Sequence, residues 1–373
     1  MADVWVLVIV HHPDPSRIGR RVRLGVGDGL LLGRGCSAFG VDALLDARIS
    51  RRHCRVLVKG EELRLEDIGS RNGTLVDGHP IRRVRVNEGA VIGMGGVLLQ
   101  GWRTPADEVP ALPPLVGESP ALSALRGELI ARGADEGPIL LVGEGGTGRT
   151  TAVRALHNRV APTGPLVQLS TAALPDEAAP SALHGHASDR RPEGALARAE
   201  GGMLLLPHID AAPRAVQLEL ARFLDDGLLR PVDAAVRPLR LRLAFTASRP
   251  PELCARDGLL LPELARRLSE RTLELPPLRE RRMDILPLAR HLASRHSGRK
   301  LALDRLLALL LALHEWPGNV VELEQVMARV VREQPDVETL STPPWGPDAF
   351  GPRAQQVFST FDPSHSDLQG VSR

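Results

Sequence analysis

The sequence predicts a multidomain chain: an N-terminal all-β sandwich, an α/β core with a phosphate-binding loop, and a small all-α subdomain. Three observations predict this fold class. Short strand-like runs separated by Gly, Asp and Asn turns recur about every ten residues over the first part of the chain. A strand, a glycine-rich loop and a helix follow one another around residues 139–156. Apolar residues at helical spacing then fill residues 283–331.

The composition predicts a soluble cytoplasmic protein. The 373 residues are enough for two or three domains, and 43% hydrophobic residues provide sizeable cores. A net charge of +2 gives no basic field suited to nucleic acid. Three scattered cysteines indicate neither a disulfide framework nor a zinc site. No run approaches ~20 apolar residues and the N-terminus lacks a signal-peptide pattern, so we expect no membrane association.

Three polar clusters lie between the predicted strands of the first domain. They are Leu32-Gly33-Arg34-Gly35, Ile49-Ser50-Arg51-Arg52-His53 and Asp67-Ile68-Gly69-Ser70-Arg71-Asn72-Gly73-Thr74. Their arginine, serine and asparagine side chains supply the charge and hydrogen-bond donors that a doubly charged phosphate needs. Asn72-Gly73 is also a strong signal for a tight turn, so a structural role for this asparagine is the alternative.

The order of these clusters, followed by Gly89-x-x-Ile92-Gly93, resembles the forkhead-associated (FHA) domain over residues 1–102. The resemblance implies five phosphopeptide-binding residues: Arg34, Ser50, Arg51, Ser70 and Asn72. The first two would hold the phosphate of a phosphothreonine, the next two would assist, and the asparagine would hold the peptide main chain. His53 and Gly73 would support the loops. The implied partner is a phosphothreonine-containing protein from a Ser/Thr kinase pathway, and a sandwich that only tethers is the alternative.

The central domain begins after a predicted linker. Residues 103–114 hold prolines and acidic residues without periodicity, which predicts a semi-rigid connection. The apolar run Ile139–Val142 then leads into a glycine-rich loop and a helix, an arrangement that points backbone N–H groups at an anion. Arg149 stands where the phosphate-loop pattern has lysine. The candidate nucleotide-binding residues are Gly143, Glu144, Gly145, Gly146, Thr147, Gly148, Arg149 and Thr150. A turn that only caps the helix is the alternative.

Several strings between residues 115 and 340 resemble the ATPase domain of sigma-54-dependent transcription activators, an AAA+ family. They include Leu115-Val116-Gly117-Glu118-Ser119, Leu275-Pro276-Pro277-Leu278-Arg279-Glu280-Arg281 and Trp316-Pro317-Gly318-Asn319-Val320. The resemblance implies an α/β subdomain over 115–255, a helical lid over 256–340, and ATP or ADP with Mg²⁺ as cofactor. It also implies assembly, either as a homo-oligomer or with an active AAA+ paralogue.

The catalytic positions of that family are replaced in this sequence. Pro207-His208 stands where the family has the Asp-Glu pair that organises magnesium and the attacking water. Arg267 retains one of two arginines that reach a neighbouring subunit. Three further positions depart from the family: Ser248, Leu261 and Val321. We therefore predict a nucleotide-binding domain that is catalytically inactive. The alternative is an active ATPase in a ring that recruits Asp210, whose register along the chain is nevertheless wrong.

Two functional segments of the family are also missing. The loop that presses on sigma-54 would fall between His186 and Gly194, where only seven residues, Ala187–Glu193, intervene. Residues 341–373 are rich in Pro, Ser and Asp and carry no helix-turn-helix pattern, which predicts a flexible tail and no direct DNA binding. His184 and His186 suggest a metal, but the sequence offers no third ligand, so we expect none.

Overall fold

A computed structural model describes residues 3–104, 111–135, 137–186 and 194–343, and these form two compact units. Among the described residues, the first unit comprises 3–104, 116–120 and 278–343, and the second comprises 111–115 and 121–277. The strands are β1 (Val4–His11), β2 (Arg21–Leu24), β3 (Gly29–Leu32), β4 (Cys54–Lys59), β5 (Glu62–Asp67), β6 (Thr74–Val76), β7 (His79–Ile81), β8 (Arg83–Val86), β9 (Val91–Met94), β10 (Val97–Thr104), β11 (Ile139–Val142), β12 (Leu166–Gln168), β13 (Met203–Leu206), β14 (Leu228–Leu229), β15 (Arg237–Pro238), β16 (Arg242–Ala247), β17 (Thr272–Glu274), β18 (Ala302–Leu303) and β19 (Thr339–Leu340). The helices are α1 (Pro120–Gly133), α2 (Arg149–Val160), α3 (Ala179–His184), α4 (Ala195–Arg198), α5 (Arg214–Asp226), α6 (Pro251–Arg256), α7 (Pro262–Ser269), α8 (Ile285–Ser297), α9 (Arg305–Leu313) and α10 (Asn319–Glu333).

The predicted sandwich is confirmed as two antiparallel sheets. Their orders are β2-β1-β10-β9-β6-β7 and β3-β4-β5-β8. Strand β4 shows why they pack: its residues alternate between buried and exposed, so one face enters the core. Strands β7 and β8 were missed because they are short and carry exposed, charged or proline residues. Strand β10 continues to Thr104, two residues into the segment predicted as a linker.

Strand β1 is apolar on both faces, and each face enters a different core. Trp5, Leu7 and Ile9 pack in the core between the two sheets. Val6 and Val8 pack on the opposite side among residues of α8, α9 and α10. Because side chains alternate across a strand, a continuous apolar run is buried only where both faces are covered. In the first unit, the helices therefore share a hydrophobic core with the outer face of β1, and this core is distinct from the one between the two sheets.

The helical subdomain of the first unit is held by buried polar contacts as well as by its leucines. Asp284 is fully buried and accepts the N–H groups of Glu118 and Ser119 at 2.7 and 2.8 Å and the Ser119 hydroxyl at 2.7 Å. The Asn319 side chain accepts the N–H of Leu278 at 2.7 Å. These contacts explain two of the strings noted in the sequence, because Glu118-Ser119 and the asparagine of Trp-Pro-Gly-Asn serve as packing anchors.

The second unit is built on a five-stranded parallel sheet of order β12-β13-β16-β11-β17. Leu140 and Val142 of β11 pack in a core on one face, while Ile139 and Leu141 pack in a core on the other. Parallel strands buried on both faces read as short apolar runs, which is why β11 and β13 were predicted correctly. Strand β17 and helices α6 and α7 were not predicted. Strand β16 begins at Arg242 and not at Leu239.

Candidate functional sites

The first candidate site lies where loops of the sandwich meet at Gly33. A Cβ at this position would lie 2.1 Å from the carbonyl oxygen of Arg51, so only glycine allows the two segments to touch. The contact lets the N–H of Arg34 donate to the carbonyl of Ser50 at 3.0 Å. The Arg34 side chain is half-buried and makes no ion pair or hydrogen bond within the described residues. The structure thus brings the two predicted phosphate-holding residues side by side.

Ser50 is itself fixed by its neighbours. Its N–H donates to Nδ1 of His53 at 3.1 Å, and the other ring nitrogen of that histidine lies 3.0 Å from the carbonyl of Gly73. The Ser50 hydroxyl accepts the N–H of Arg71 at 3.0 Å, and no acceptor for its own hydrogen lies among the described residues. His53 is fully buried, so it braces both loops from beneath, which agrees with the supporting role predicted for it.

Asp67 organises the third loop, a role that the sequence reasoning did not assign to it. Its carboxylate accepts the N–H groups of Gly69 and Ser70 and the hydroxyls of Ser70 and Thr74, at 2.6–2.9 Å. Partial burial favours the neutral acid, but these hydrogen bonds prevail and hold the pKa of Asp67 below its usual range. The signal was present, because an Asp two to three residues before a turn commonly accepts N–H groups of that turn.

Three predicted phosphopeptide residues occupy the surface of these loops. The Ser70 hydroxyl donates to Asp67 at 2.6 Å, so in this conformation its hydrogen is not directed at a ligand. The amide nitrogen of Asn72 donates to the carbonyl of Arg48 at 2.7 Å, which serves the loop, while the residue stays exposed. Arg51 is exposed and makes no ion pair within the described part of the chain. All five residues therefore lie on three adjoining loops, and their ligand contacts remain predictions.

The second candidate site is the loop between β11 and α2. Gly143 has a φ of 151°, and a Cβ there would lie 2.5 Å from the carbonyl oxygen of Leu275. Gly146 and Gly148 are also left-handed, at φ values of 77° and 103°. The Thr147 hydroxyl donates to the carbonyl of Glu144 at 2.9 Å, which closes the loop. A loop of this form at a helix N-terminus directs backbone N–H groups outward and suits a phosphate.

Arg149 of this loop is not directed at solvent. It is 6% exposed, and its guanidinium donates to the carbonyl of Ala247 at the end of β16. Burial lowers the pKa of Arg149, and the negative charge of Asp210 acts in the opposite direction. The cation at this position therefore interacts with the Ala247 carbonyl and with the charge of Asp210. In the phosphate-loop pattern the cation at this position instead contacts phosphates.

Asp210 reaches this edge through an unusual turn. His208 has a left-handed backbone (φ 54°) and donates its N–H to the Thr246 hydroxyl at 3.1 Å. The chain then forms a 3₁₀ turn over Ile209–Ala211, and the Asp210 carboxylate accepts both the N–H and the hydroxyl of Ser248. In the sequence Asp210 is out of register for the acid position, and the turn carries its carboxylate to the end of β16.

The residues of this edge fit the phosphates of a nucleotide better than they fit a magnesium ion. Glycine-loop amides suit nucleotide phosphates, and the hydroxyl of the half-buried Thr150 is of the type that holds the metal in such loops. After β13, however, Pro207 offers no ligand and His208 is exposed, while one oxygen of the Asp210 carboxylate is hydrogen-bonded to Ser248. Mg²⁺ prefers oxygen ligands in near-ideal octahedral geometry. The arrangement therefore supports phosphate binding and leaves the metal without its usual carboxylate.

The remaining predicted positions are placed as follows. Arg267 lies on α7 and forms ion pairs with Asp225 and, at 3.8 Å, with Glu263. Leu261 precedes α7, where its N–H donates to the Gln217 side chain at 2.8 Å. Val321 is on α10 in the first unit and is 51% exposed. Residues 187–193 and 344–373, on which the predictions of a deleted sigma-54 loop and a flexible tail depend, lie outside the described residues.

Two further properties concern metal and membrane. His184 is buried, accepts the N–H of Arg230 at 3.1 Å, and lies 3.3 Å from the Glu219 carboxylate, so its ring serves the local packing. Within the described ranges, no three His, Cys, Asp or Glu side chains converge as a metal site. No helix in those ranges is long and apolar enough to cross a bilayer.

Comparison with known proteins agrees with this division of the chain. The FHA domain family matches residues 17–95, the sigma-54 interaction domain matches 115–274, and the AAA+ ATPase lid domain matches 279–341. The transcriptional regulatory protein ZraR of Klebsiella oxytoca is 34% identical over 61% of this chain and 54% of that protein. The regulatory protein HrpR of Pseudomonas syringae is 36% identical over 50% of this chain and 63% of that protein.

A solved structure supports the same assignment. NtrX from Brucella abortus in complex with ADP aligns with a TM-score of 0.56 and 25% identity, covering 68% of this chain and 61% of that one. A complex of the same protein with ATP aligns equally well. The chain spans about half the length of the curated relatives it matches. The chain thus consists of an FHA domain followed by a sigma-54-activator-type AAA+ domain with its helical lid.

Proposed function

We propose that this protein is a cytoplasmic phosphothreonine-dependent regulator whose AAA+ domain binds nucleotide without hydrolysing it efficiently. The FHA domain would recognise a partner phosphorylated by a Ser/Thr kinase, and the AAA+ domain would serve as a scaffold in transcription regulation. The two parts rest on different residues. The loops around Ser50 retain donors for a phosphate, whereas the edge around Arg149 has lost the acid pair of the family.

One observation carries the inactive-ATPase part of the proposal. The charged groups at the sheet edge are engaged by neutral neighbours: Arg149 donates to Ala247, and one oxygen of Asp210 accepts from Ser248. Hydrolysis requires a metal and a polarised water beside the γ-phosphate, and each such contact accounts for orders of magnitude in rate. With Pro207 and His208 at the acid positions, neither requirement has a protein ligand in place.

A matched loop variant provides the test. Gly145 is exposed, its φ is not left-handed, and a Cβ there meets nothing within 4 Å, so Gly145→Asp adds a repelling carboxylate without strain. We expect titration calorimetry to detect ATP binding by the wild type and one ATP-binding event fewer in Gly145→Asp. Phosphate release with Mg²⁺ should be equal for the two proteins. Release by the wild type well above that of the variant would contradict the proposal.

The alternative, a working ATPase in an oligomeric ring, is favoured by the position of Asp210 at the end of β16. In that case Asp210→Asn would abolish a measurable hydrolysis. Assembly with an active paralogue would require Arg267 to leave its ion pairs with Asp225 and Glu263. Mixing the two proteins and comparing the ATPase rate of the paralogue with wild type and with Arg267→Ala tests that form of the alternative.

A further inference from the structure

A basic cavity lies within the first unit and borders the first candidate site at Arg48, whose carbonyl accepts the Asn72 amide. It has a volume of about 1220 Å³ and is bounded by the end of β1, the helix α8 and the start of α9. Ligand pockets in proteins commonly measure roughly 300–1,000 Å³. The space is therefore large enough for a small organic molecule and belongs to none of the sites described above.

The lining of this cavity carries an excess of positive charge. Its five cationic side chains are Arg48, Arg290, Arg299, Lys300 and Arg305, against two acidic ones, Asp304 and Glu338. Asp304 is already used, because its carboxylate accepts the N–H of Leu307 at 2.6 Å and caps α9. Arg48 pairs with Asp46 at 2.9 Å. Arg299 donates to the carbonyl of Pro335. The summed positive charge of the lining favours an anion in the cavity.

Arg290 is the cation that most needs a counter-ion. Its guanidinium donates to the carbonyl of Val10, but no carboxylate pairs with it among the described residues. Its Nε is enclosed and has no hydrogen-bond partner there. Burial lowers its pKa to about 10, so it remains charged near neutral pH. A half-buried guanidinium with no carboxylate beside it is costly, and a bound anion would compensate its charge.

Two buried histidines add uncharged polar atoms to the same wall. His11 is 6% exposed and its Nδ1 has no partner in the described part of the chain. Burial, then the charges of Arg290 and Arg305, lower its pKa to about 4, so its ring is neutral. His12 is 4% exposed; its Nδ1 accepts the N–H of Asp14 at 2.8 Å, which leaves Nε2 to carry the hydrogen, and that atom also lacks a partner. A buried polar atom without a hydrogen-bond partner commonly marks the position of a bound water or ligand.

Part of the lining is apolar. Pro13, Pro15, Ile18, Leu301 and Leu303 contribute to it. A purely inorganic anion cannot pack against such a wall, whereas the ring of a phosphorylated organic molecule can. We propose that this cavity binds a small phosphorylated anion of nucleotide size, with its phosphates on Arg290 and Lys300 and its ring against the apolar wall.

The test uses the full chain carrying Gly145→Asp, so that the loop between β11 and α2 does not contribute. Titration calorimetry with inorganic pyrophosphate and with ADP should detect binding of both, and ADP should bind more tightly. Because hydrogen bonds to a charged partner are at stake, we expect Arg290→Gln to weaken binding about ten- to a hundredfold. Lys300→Gln should weaken it less. Arg332→Gln, an exposed arginine on α10, should leave it unchanged.

Several outcomes would overturn the proposal. One is the absence of binding of either probe at millimolar concentration. Another is binding that neither Arg290→Gln nor Lys300→Gln weakens. Equal affinity for pyrophosphate and ADP would overturn the assignment of the ring to the apolar wall. Melting temperatures would check folding, and if Arg290→Gln does not fold, the exposed Lys300→Gln variant decides the result.

Discussion

Replacing Ser50 with alanine tests the phosphate-recognising loops most directly. The Ser50 hydroxyl accepts the N–H of Arg71 at 3.0 Å and has a hydrogen to donate to a phosphate oxygen. A hydrogen bond to a charged group contributes about 1.5–3 kcal/mol, which corresponds to a roughly 10- to 150-fold change in Kd. The folded state should lose little, because Arg71 is exposed and water can replace the serine.

Fluorescence anisotropy with a labelled peptide pool provides the assay. One pool carries a fixed phosphothreonine between random residues, and the matched pool carries threonine. We expect wild-type binding only to the phosphorylated pool, a 10- to 150-fold loss in Ser50→Ala, and no loss in Ser123→Ala, a serine on α1 in the other unit. A Ser50→Ala Kd within about twofold of the wild type would refute the assignment of this hydroxyl to phosphate.

Three further predictions concern the first unit. Asp284→Ala leaves the two buried donors of Ser119 without an acceptor, so we expect a loss of about 3–5 kcal/mol in the free energy of unfolding and a lower Tm. The exposed Glu280→Ala is the control. Trp102→Ala removes a side chain that is 4% exposed and packs among the lid leucines. We expect the free energy of unfolding to fall by about 3–5 kcal/mol, which should make the lid sensitive to limited proteolysis. Leu31→Ala is the control, because that side chain is 40% exposed and its loss should not have this effect. The pKa of Asp67 is lowered in the folded state, so its ionised carboxylate stabilises the fold above its unfolded pKa near 4. That stabilisation is lost as the pH falls through the folded-state pKa. The Tm of Asp67→Asn should therefore fall less steeply than the wild-type Tm between about pH 5 and pH 3. Equal slopes for the two proteins would contradict that assignment.

The sequence predicted the elements of each domain better than their association. Strands β4, β11 and β13 follow directly from alternation or from a short apolar run. The apolar run of β1 also held a signal that was not used. An edge-like strand with one face open to water would alternate, whereas Val4–Val10 does not, and this indicates that a second layer covers Val6 and Val8. Which layer covers them is a long-range fact that local patterns do not encode.

The candidate sites divide in the same way. The five residues predicted from the FHA resemblance lie together because hydrogen bonds join their loops, such as those from Arg34 and Arg71 to Ser50. The position of Asp210 could not be read from spacing, because it depends on a left-handed residue at His208 and the turn that follows. A count of residues from the end of β13 assumes extended chain, and a single left-handed residue breaks that assumption.

The arginine in the phosphate loop is best understood together with the two substitutions that surround it. A lysine in this position would present one compact charge on a flexible stem, and it would need an anion to face. The longer, planar guanidinium of Arg149 instead reaches the carbonyl of Ala247 while remaining within the field of Asp210. One oxygen of Asp210 in turn accepts from Ser248, a position that departs from the family. Restoring the lysine alone would therefore remove the contact with the Ala247 carbonyl without restoring the acid pair that hydrolysis requires.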